Sequence, residues 1–253
     1  MRIEIKTLIR RVTLVVAAVV LWSATVHRLH VPEYILPSPQ RVMETFLDDA
    51  SLLLRHFRET FREWLIGLSS SVGMGVIISF AAFYSQSLEK YVRRFLIISQ
   101  AVPYLTIAPL LLLWFGLGSA PKIILILLTC TFPIAQLTLA GLHSAREQYS
   151  VLATILRFNA RRALVKLYIP AALPDFLEGL RISVTYAFVS TVLAELIGSE
   201  AGLGVYLSRA QSAYRTDRVL VVVLLIVCFS LLCTYIIGRL SRRLLFWRVE
   251  RNV

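Results

Sequence analysis

The chain has 253 residues, of which 57% are hydrophobic and only 17% are charged, and its mean hydropathy is +0.72. A soluble domain of this length usually carries about 25% charged residues because its surface must be solvated. The composition therefore excludes an ordinary soluble protein and indicates a chain with much of its surface in lipid. The net charge of +12 could suggest a nucleic-acid partner, but none is expected, because the basic residues cluster between apolar stretches.

The apolar stretches predict a single all-α membrane domain over residues 1–253. A helix needs roughly 20 apolar residues to cross a bilayer. Six spans are predicted, at about 10–28, 62–84, 95–116, 122–142, 178–197 and 219–240. The basic residues before the first stretch also fit a signal peptide, but no small-residue cleavage site follows and five more apolar segments do, which favours a first span.

The basic residues indicate which side of the membrane each connecting segment faces. With the N-terminus inside, segments 1–11, 84–94, 143–178 and 239–253 are cytoplasmic and hold 17 of the 27 Lys and Arg residues, as the positive-inside rule expects. The exception is 28–62, which lies outside and carries five arginines. We therefore predict that both termini are cytoplasmic.

A helix start precedes the second span. Ser38 can cap a helix, and Pro39 suits its first turn. Apolar residues then recur among charges at roughly helical spacing; they are Val42, Phe46, Leu53, Leu54 and Phe57. This pattern favours an amphipathic helix on the outer interface over a loop.

Prolines and polar residues interrupt the middle spans. Pro103, Pro109 and Pro133 free backbone carbonyls that need a partner helix or a wet cavity. Polar residues near these prolines suggest a lumen rather than a lipid face; they are Gln100, Tyr104, Thr106, Gln136 and Thr138. A single polar residue in a membrane helix is more often a contact between helices.

Glu195 lies near the outer end of the fifth predicted span. An ionised carboxylate there costs a few kcal/mol unless it is paired or hydrated. One interpretation is a gate or a contact on the substrate path. The other, slightly preferred, is a salt bridge or a capping contact to the following loop.

The longest predicted cytoplasmic segment, 146–175, has an amphipathic pattern. Leu152, Ile155, Leu156 and Ala160 recur with a helical period beside four basic residues, and Pro170 and Pro174 are expected to stop this helix and orient the next span. On spacing alone, a helix that presses on another protein and a basic loop that orients the chain or touches anionic lipid are equally good interpretations.

The end of this segment has a recognisable motif. Ile169-Pro-Ala-Ala-Leu-Pro174, followed by Gly179-Leu-Arg181, resembles the end of the cytoplasmic "EAA" loop of ABC importer permeases. Segments 36–39, 100–103, 108–118, 132–133, 194–195 and 202–204 are similar to the nitrate, sulfonate and thiamine-pyrimidine branch of that family. The resemblance covers roughly 35–248 and implies a type I importer permease fold with six transmembrane helices.

The resemblance also implies a set of partners. Two ATPase subunits, carrying ATP and Mg, would dock beneath two permease copies, which are taken as identical. A periplasmic or lipid-anchored binding protein would deliver the solute in the bacterial inner membrane. The implied ATPase-coupling residues are Leu152, Ala153, Arg157, Phe158, Asn159, Ala160, Arg161, Arg162, Pro170 and Pro174. The candidate residues for lining the implied substrate path are Gln100, Tyr104, Gln136, Tyr186 and Ser190.

The loop departs from the family pattern at two positions. Val151 stands where the family's glutamate is usual, and Arg157 stands where a glycine is usual. Glycine permits a tight turn because it has no Cβ. Arg157 is therefore expected either to continue the helix or to bend it through Phe158 and Asn159.

The substrate is less specified than the family. Segments 210–218 and 242–247 look most like permeases for hydroxymethylpyrimidine-type thiamine precursors, and the alternative is a permease for sulfonate, taurine or nitrate. A stand-alone secondary transporter or channel would need intramembrane charges or a repeated half. No phosphate-binding loop, metal-ligand spacing or catalytic cluster is apparent, so no enzyme activity, metal or cofactor is expected on this chain.

Overall fold

The computed structural model describes residues 2–101 and 103–245, apart from the side chains of 2–9, 11, 12, 15, 100, 101 and 105. This part of the chain is helical, without strands, as the all-α prediction requires. In chain order the helices are α1 (Arg2–Arg28), α2 (Pro39–Asp48), α3 (Ala50–Tyr84), α4 (Gln86–Ala101), α5 (Tyr104–Phe115), α6 (Ser119–Ile155), α7 (Ala160–Ala163), α8 (Ile169–Gly198), α9 (Leu203–Ser212) and α10 (Thr216–Leu244).

Four helical segments in the described residues are long and apolar enough to cross a membrane. They are Ala50–Tyr84, Ser119–Ile155, Ala160–Gly198 and Thr216–Leu244. The predicted first and third spans correspond to shorter apolar helices, Val16–Arg28 and Thr106–Phe115. The all-α membrane class is confirmed, and the number of six crossings stays a prediction.

The predicted third span is divided between α4 and α5. Pro103 lies in the gap, with an extended backbone (φ −71°, ψ 105°) at the start of α5, because proline lacks the N–H that would continue the helical hydrogen bonds. Pro109 and Pro133, by contrast, lie inside α5 and α6. The sequence identified all three prolines, but only Pro103 separates two helices.

Helix α6 is the centre of the bundle and packs most extensively on α8 and α3. An aromatic cluster fills the space between α3, α8 and α10, with ring centroids 4.2 Å apart for Phe188 and Phe229 and 5.0 Å apart for Trp64 and Phe229. The Trp64 indole donates a hydrogen bond to the Val184 carbonyl, at 3.2 Å. Within a bilayer, helices are held together by such packing and by interhelical hydrogen bonds, because the hydrophobic effect does not drive their association there.

The bundle has two ends that differ in chemistry. At the first, which we call the loop end, α3 finishes and the chain turns between α6 and α7; Phe83 contacts His143 and Tyr168 there. At the second, the cavity end, α3 and α6 begin and α8 finishes. Lys122 of α6 lies against Glu63 of α3 there.

The predicted outer amphipathic helix is two helices rather than one. Ser38 caps α2 as expected, since its hydroxyl accepts a hydrogen bond from the Arg41 N–H at 3.2 Å. The helix ends at Asp48, however, and Leu53 and Phe57 belong to α3, which continues into the predicted second span. The expectation of a separate surface helix is therefore correct only for Pro39–Asp48.

Two hydrogen bonds and an ion pair connect α2 and the start of α3 to α9 and the start of α10. The Thr45 hydroxyl donates to buried Asp217 at 2.7 Å, and the Tyr206 hydroxyl donates to Asp49 at 2.6 Å. Arg218 pairs with the same Asp49 carboxylate at 2.8 Å. Burial and the hydrogen bond to Asp49 raise the pKa of Tyr206 above its usual range.

Pro170 and Pro174 do not stop a helix, contrary to the expectation from sequence. Residues 160–198 are continuously helical, with a π-helical turn at Leu164–Tyr168 between α7 and α8. Pro170 is the second residue of α8, directly after the π-helical turn, and Pro174 lies inside α8. Single π turns accommodate a locally altered hydrogen-bond register, and this one carries the chain from the loop into the membrane span without a break.

Candidate functional site

The loop end contains a tight bend between α6 and α7. Helix α6 ends at Ile155, and Arg157 adopts a left-handed conformation with φ 51°. The Phe158 N–H then donates to the Ala153 carbonyl at 2.9 Å, which is the longer hydrogen bond of a Schellman-type helix end. Asn159 caps the next helix by accepting from the Arg162 N–H at 2.8 Å.

Arg157 therefore occupies the conformation that the family's glycine would provide. Of the two expectations for this residue, the structure has the bend and not the continued helix. A left-handed conformation costs a non-glycine residue roughly 1–2 kcal/mol. The bend persists because Asn159, Ala153 and the buried residues after them fix the chain on both sides.

Replacing Arg157 with glycine is expected to leave the fold intact and to raise the free energy of unfolding by about 0.5 kcal/mol, since relief of strain exceeds the entropy cost of glycine. Denaturant unfolding of the purified protein in detergent measures this change. The matched control is Arg161→Gly, which places glycine inside α7 and is expected to lower stability by about 1 kcal/mol. Equal destabilisation by the two variants would contradict the assigned backbone conformation.

Apolar side chains project from both sides of the bend. We call them, with the neighbouring cations, the coupling surface: Val151, Leu152, Ile155, Leu156 and Val165, with Arg157, Arg161, Arg162 and Lys166, all exposed. Val151 is 69% exposed and Ile155 is 72% exposed. A contiguous apolar patch rimmed by polar residues marks an interaction site on a protein surface.

A small buried cluster holds the coupling surface against the bundle. Ala153, Ala163, Leu164 and Tyr168 are buried together with Leu142 of α6. The Arg162 guanidinium lies 4.9 Å from the Phe158 ring centroid, which favours the bent conformation. The loop is thus packed rigidly from within while its outer side chains remain free to contact another molecule.

The predicted coupling residues divide into exposed and supporting positions. Leu152, Arg157, Asn159, Ala160, Arg161 and Arg162 are exposed, Phe158, Pro170 and Pro174 are half-buried, and Ala153 is buried. Exposure fits the first group for direct contact with a partner. The second group fixes the shape of the bend and its connection to α8.

At the cavity end, Glu195 caps the start of α9. It is 1% exposed, and its Oε2 accepts hydrogen bonds from the Gly204 N–H at 2.8 Å and from the Thr60 hydroxyl at 3.0 Å. Thr60 in turn accepts from the Leu203 N–H at 2.8 Å, and the His56 Nδ1 accepts from the Gly202 N–H at 3.0 Å. These are the contacts of the capping interpretation, because they satisfy the free N–H groups of a helix start.

Two glycines make room for this carboxylate. Gly202 has φ +127°, and a Cβ built on it would lie 2.2 Å from the Glu195 carboxyl carbon. A Cβ on Gly204 would lie 2.3 Å from the Val192 carbonyl oxygen. Gly202 and Gly204, which have no Cβ, therefore leave the space in which Glu195 is buried.

The other predicted path residues lie on different helices and differ in exposure. Ser190 is buried, and its hydroxyl donates to Thr129 at 3.2 Å, joining α8 to α6. Tyr186 and Gln136 are exposed on α8 and α6, and Tyr104 is half-buried at the start of α5. Gln100 belongs to α4, but its side chain lies outside the described residues.

Sequence reasoning missed a buried ion pair at the cavity end. Lys122 and Glu63 are 2.6 Å apart, with side chains 8% and 9% exposed, and the Ser119 hydroxyl donates to the same Glu63 oxygen at 3.2 Å. The sequence does contain a signal for this ion pair. Glu63 and Lys122 each lie at the start of a predicted span on the same side, and His56, Thr60 and Glu63 share one face of a helix.

Known proteins are similar to this chain in sequence and in fold. Residues 71–246 match the family described as "Binding-protein-dependent transport system inner membrane component". The chain is 34% identical to a probable ABC transporter permease protein of Haemophilus influenzae, over 96% of this chain and 98% of the relative. It is 32% identical to the formylaminopyrimidine transport permease protein ThiX of Halalkalibacterium halodurans, over 92% of this chain and 93% of that protein.

A sulfonate permease and a solved transporter structure are also similar to this chain. The putative aliphatic sulfonates transport permease protein SsuC of Bacillus subtilis is 31% identical, over 85% of this chain and 78% of that protein. An inward-facing structure of the MetNI methionine ABC transporter superposes with a TM-score of 0.68 at 16% identity, covering 77% of this chain and 97% of that chain.

The family match and the relatives above 30% identity identify a membrane transport subunit. The chain belongs to the binding-protein-dependent transport system inner membrane components, the permease subunits of type I ABC importers. It is a transport component, and ATP hydrolysis belongs to a separate subunit of such systems.

Proposed function

We propose that this chain is the permease of an importer for a hydroxymethylpyrimidine-type thiamine precursor. Two identical copies would surround the path, a binding protein would deliver the solute at the cavity end, and two ATPase subunits would dock at the loop end. In this arrangement the loop end and both termini are cytoplasmic. The observation that carries the proposal is the coupling surface, whose apolar residues are exposed on a rigidly supported bend.

The chemistry of the coupling surface supports an ATPase partner over a lipid contact. Val151 and Ile155 extend from the last turns of α6. Helix α6 has 37 residues and is therefore about 55 Å long, which exceeds a hydrocarbon core of about 30 Å. Its last turns would reach beyond the membrane, where exposed apolar side chains need a protein partner. The surrounding cations favour a groove with an acidic rim.

The continuous helix from α7 into α8 supports alternating access as the mechanism. A force applied to α7 by closure of the ATPase subunits would reach α8 through the π-helical turn without passing a flexible hinge. The α8 span carries Tyr186 on its exposed face. Movement of the coupling surface would then reposition α8 and change which side of the membrane the path opens to.

Two observations favour a pyrimidine substrate. One is the similarity of segments 210–218 and 242–247 to pyrimidine-precursor permeases, and the other is the 32% identity to a formylaminopyrimidine permease over nearly the whole chain. A sulfonate importer is the second candidate, because a sulfonate permease is 31% identical. In either case the binding protein would largely determine the substrate specificity of the importer.

The test is reconstitution of the permease with its ATPase and binding protein in liposomes, followed by ATPase assays with a pyrimidine, a sulfonate and nitrate. Hydroxymethylpyrimidine with its binding protein is expected to stimulate hydrolysis. Stimulation by a sulfonate or nitrate instead would retain the permease and change the substrate. If no ATPase subunit associates with the permease, the proposed role of the coupling surface is wrong.

Among the proposed path residues whose side chains the structure describes, Tyr186 and Gln136 are exposed in the single chain. Replacing each with alanine is expected to reduce substrate-stimulated ATPase activity severalfold without loss of assembly, because neither side chain supports the core. Leu231→Ala, at an exposed position of α10, serves as the control. Full substrate-stimulated activity in both variants would show that neither residue lines the substrate path.

A further inference from the structure

A polar cavity lies at the cavity end, between α3, the start of α6 and the turn after α8. Its volume is about 450 Å³, which lies within the range of small-molecule sites. The polar residues lining it are Glu59, Glu63, Ser119, Lys122, Ser199 and Glu200. The capping role of Glu195 does not use this space, and neither does the coupling surface at the opposite end.

The lining charges of the cavity are predominantly negative. Glu59, Glu63 and Glu200 oppose the single ammonium of Lys122. That ammonium is already paired with Glu63 at 2.6 Å, so the lining residues leave no uncommitted cation for an anionic ligand. Opposite charges attract most strongly where water is partly excluded, and the cavity therefore favours a cationic ligand.

Two oxygens of the lining residues lack donors. Glu63 is 7% exposed; its Oε1 accepts from Lys122 and Ser119, whereas its Oε2 is buried without a hydrogen-bonding partner among the described residues. The Ser199 Oγ is buried and unpartnered in the same part of the structure. A buried acceptor without a donor is unfavourable, and a ligand bearing N–H groups would supply the missing hydrogen bonds.

We propose that this cavity binds a small, planar organic cation that carries paired N–H donors, of the amidinium or protonated aminopyrimidine class. Paired N–H groups match the two oxygens of a carboxylate. Nitrate and simple sulfonates carry only acceptors and negative charge, so the site rejects them. The inference rests on the proposed importer function and assigns recognition of its substrate to this cavity.

The test is equilibrium dialysis of radiolabelled hydroxymethylpyrimidine against the permease–ATPase complex in nanodiscs, without binding protein. Saturable binding is expected, with competition by acetamidinium and not by methanesulfonate. The double variant Glu59→Gln/Glu200→Gln leaves the buried ion pair intact and is expected to weaken binding at least fivefold. Glu44→Gln removes one negative charge on exposed α2, away from the cavity, and should alter binding less than twofold.

A second variant addresses the buried carboxylate directly. Glu63→Gln is expected to weaken binding more than the double variant, in preparations that still elute as a monodisperse complex. Absence of saturable binding, equal competition by methanesulfonate, or an unchanged affinity in the double variant would overturn the proposed site. These results are distinguishable from failure of the proposed function, which would appear as a wild-type permease that neither binds an ATPase nor responds to a loaded binding protein.

Discussion

Replacing Ile155 with aspartate is expected to weaken binding of the ATPase subunit at least tenfold while the permease stays folded. Ile155 is 72% exposed, so the substitution removes no core packing. In the proposed complex the side chain would lie in an apolar groove, where an unpaired carboxylate carries a large desolvation cost. Co-purification of the ATPase, followed by substrate-stimulated hydrolysis in liposomes, measures the loss.

The matched control for Ile155→Asp is Leu47→Asp. Leu47 is 64% exposed on α2, at the opposite end of the bundle, and its substitution should leave ATPase binding unchanged. Retention of the ATPase by Ile155→Asp would contradict the proposed interface. Loss of the ATPase from both variants, with unaltered elution of each permease, would contradict it as well, because the effect would not be specific to the loop end.

Replacing Glu195 with alanine is expected to lower the free energy of unfolding by about 3 kcal/mol, since buried donors and an empty space remain. Glu195→Gln keeps an acceptor for the Gly204 N–H and is expected to cost about 1 kcal/mol. Denaturant unfolding in detergent measures both variants. The control is Glu178→Ala, an exposed position of the same helix, which should change stability by less than about 0.5 kcal/mol.

This comparison separates the two interpretations of Glu195. A capping residue predicts loss of stability in Glu195→Ala and substrate-stimulated ATPase activity near that of the wild type in Glu195→Gln. A gate residue predicts the reverse: an alanine variant as stable as the wild type, and a glutamine variant that folds but has lost stimulated activity.

Four of the six predicted spans were predictable because lipid imposes a single requirement on a long stretch of sequence. Segments 62–84, 122–142, 178–197 and 219–240 all lie within long apolar helices. The Ser38 cap was predictable as well, because its signal is contained in three adjacent residues. The length of α2 was not, since the helical spacing continues across Asp49 and only the packed structure ends one helix there and begins another.

The shape of the loop depended on neighbours that the sequence does not identify. Arg157 is a poor residue for a left-handed conformation, and local preference alone favours continuing the helix. The buried contacts of Ala153 and Ala163 decide the matter. For Pro170 and Pro174 the prediction failed in the opposite direction, because the sequence indicated a helix end where the structure has a continuous helix. Proline signals a helix end, but here the chain stays helical through the π-helical turn before the two prolines.

Polar contacts across the bundle were the least predictable feature. The sequence marks Ser190 and Glu195 as unusual, but their partners, Thr129 and Thr60, lie 61 and 135 residues away. The pair of Glu63 and Lys122 bridges 59 residues. Spacing along one helix identifies which side chains share a face, whereas the opposing helix is known only from the fold.

Cysteine cross-linking tests the central claim most directly. Ile155→Cys, in a permease whose native Cys130, Cys228 and Cys233 are replaced by alanine, would be oxidised in the assembled complex with an ATPase bearing one cysteine in its docking groove. A cross-link from position 155, and none from a matched Leu47→Cys permease, is the expected result. A cross-link from position 47 and none from position 155 would contradict both the coupling surface and the proposed orientation in the membrane.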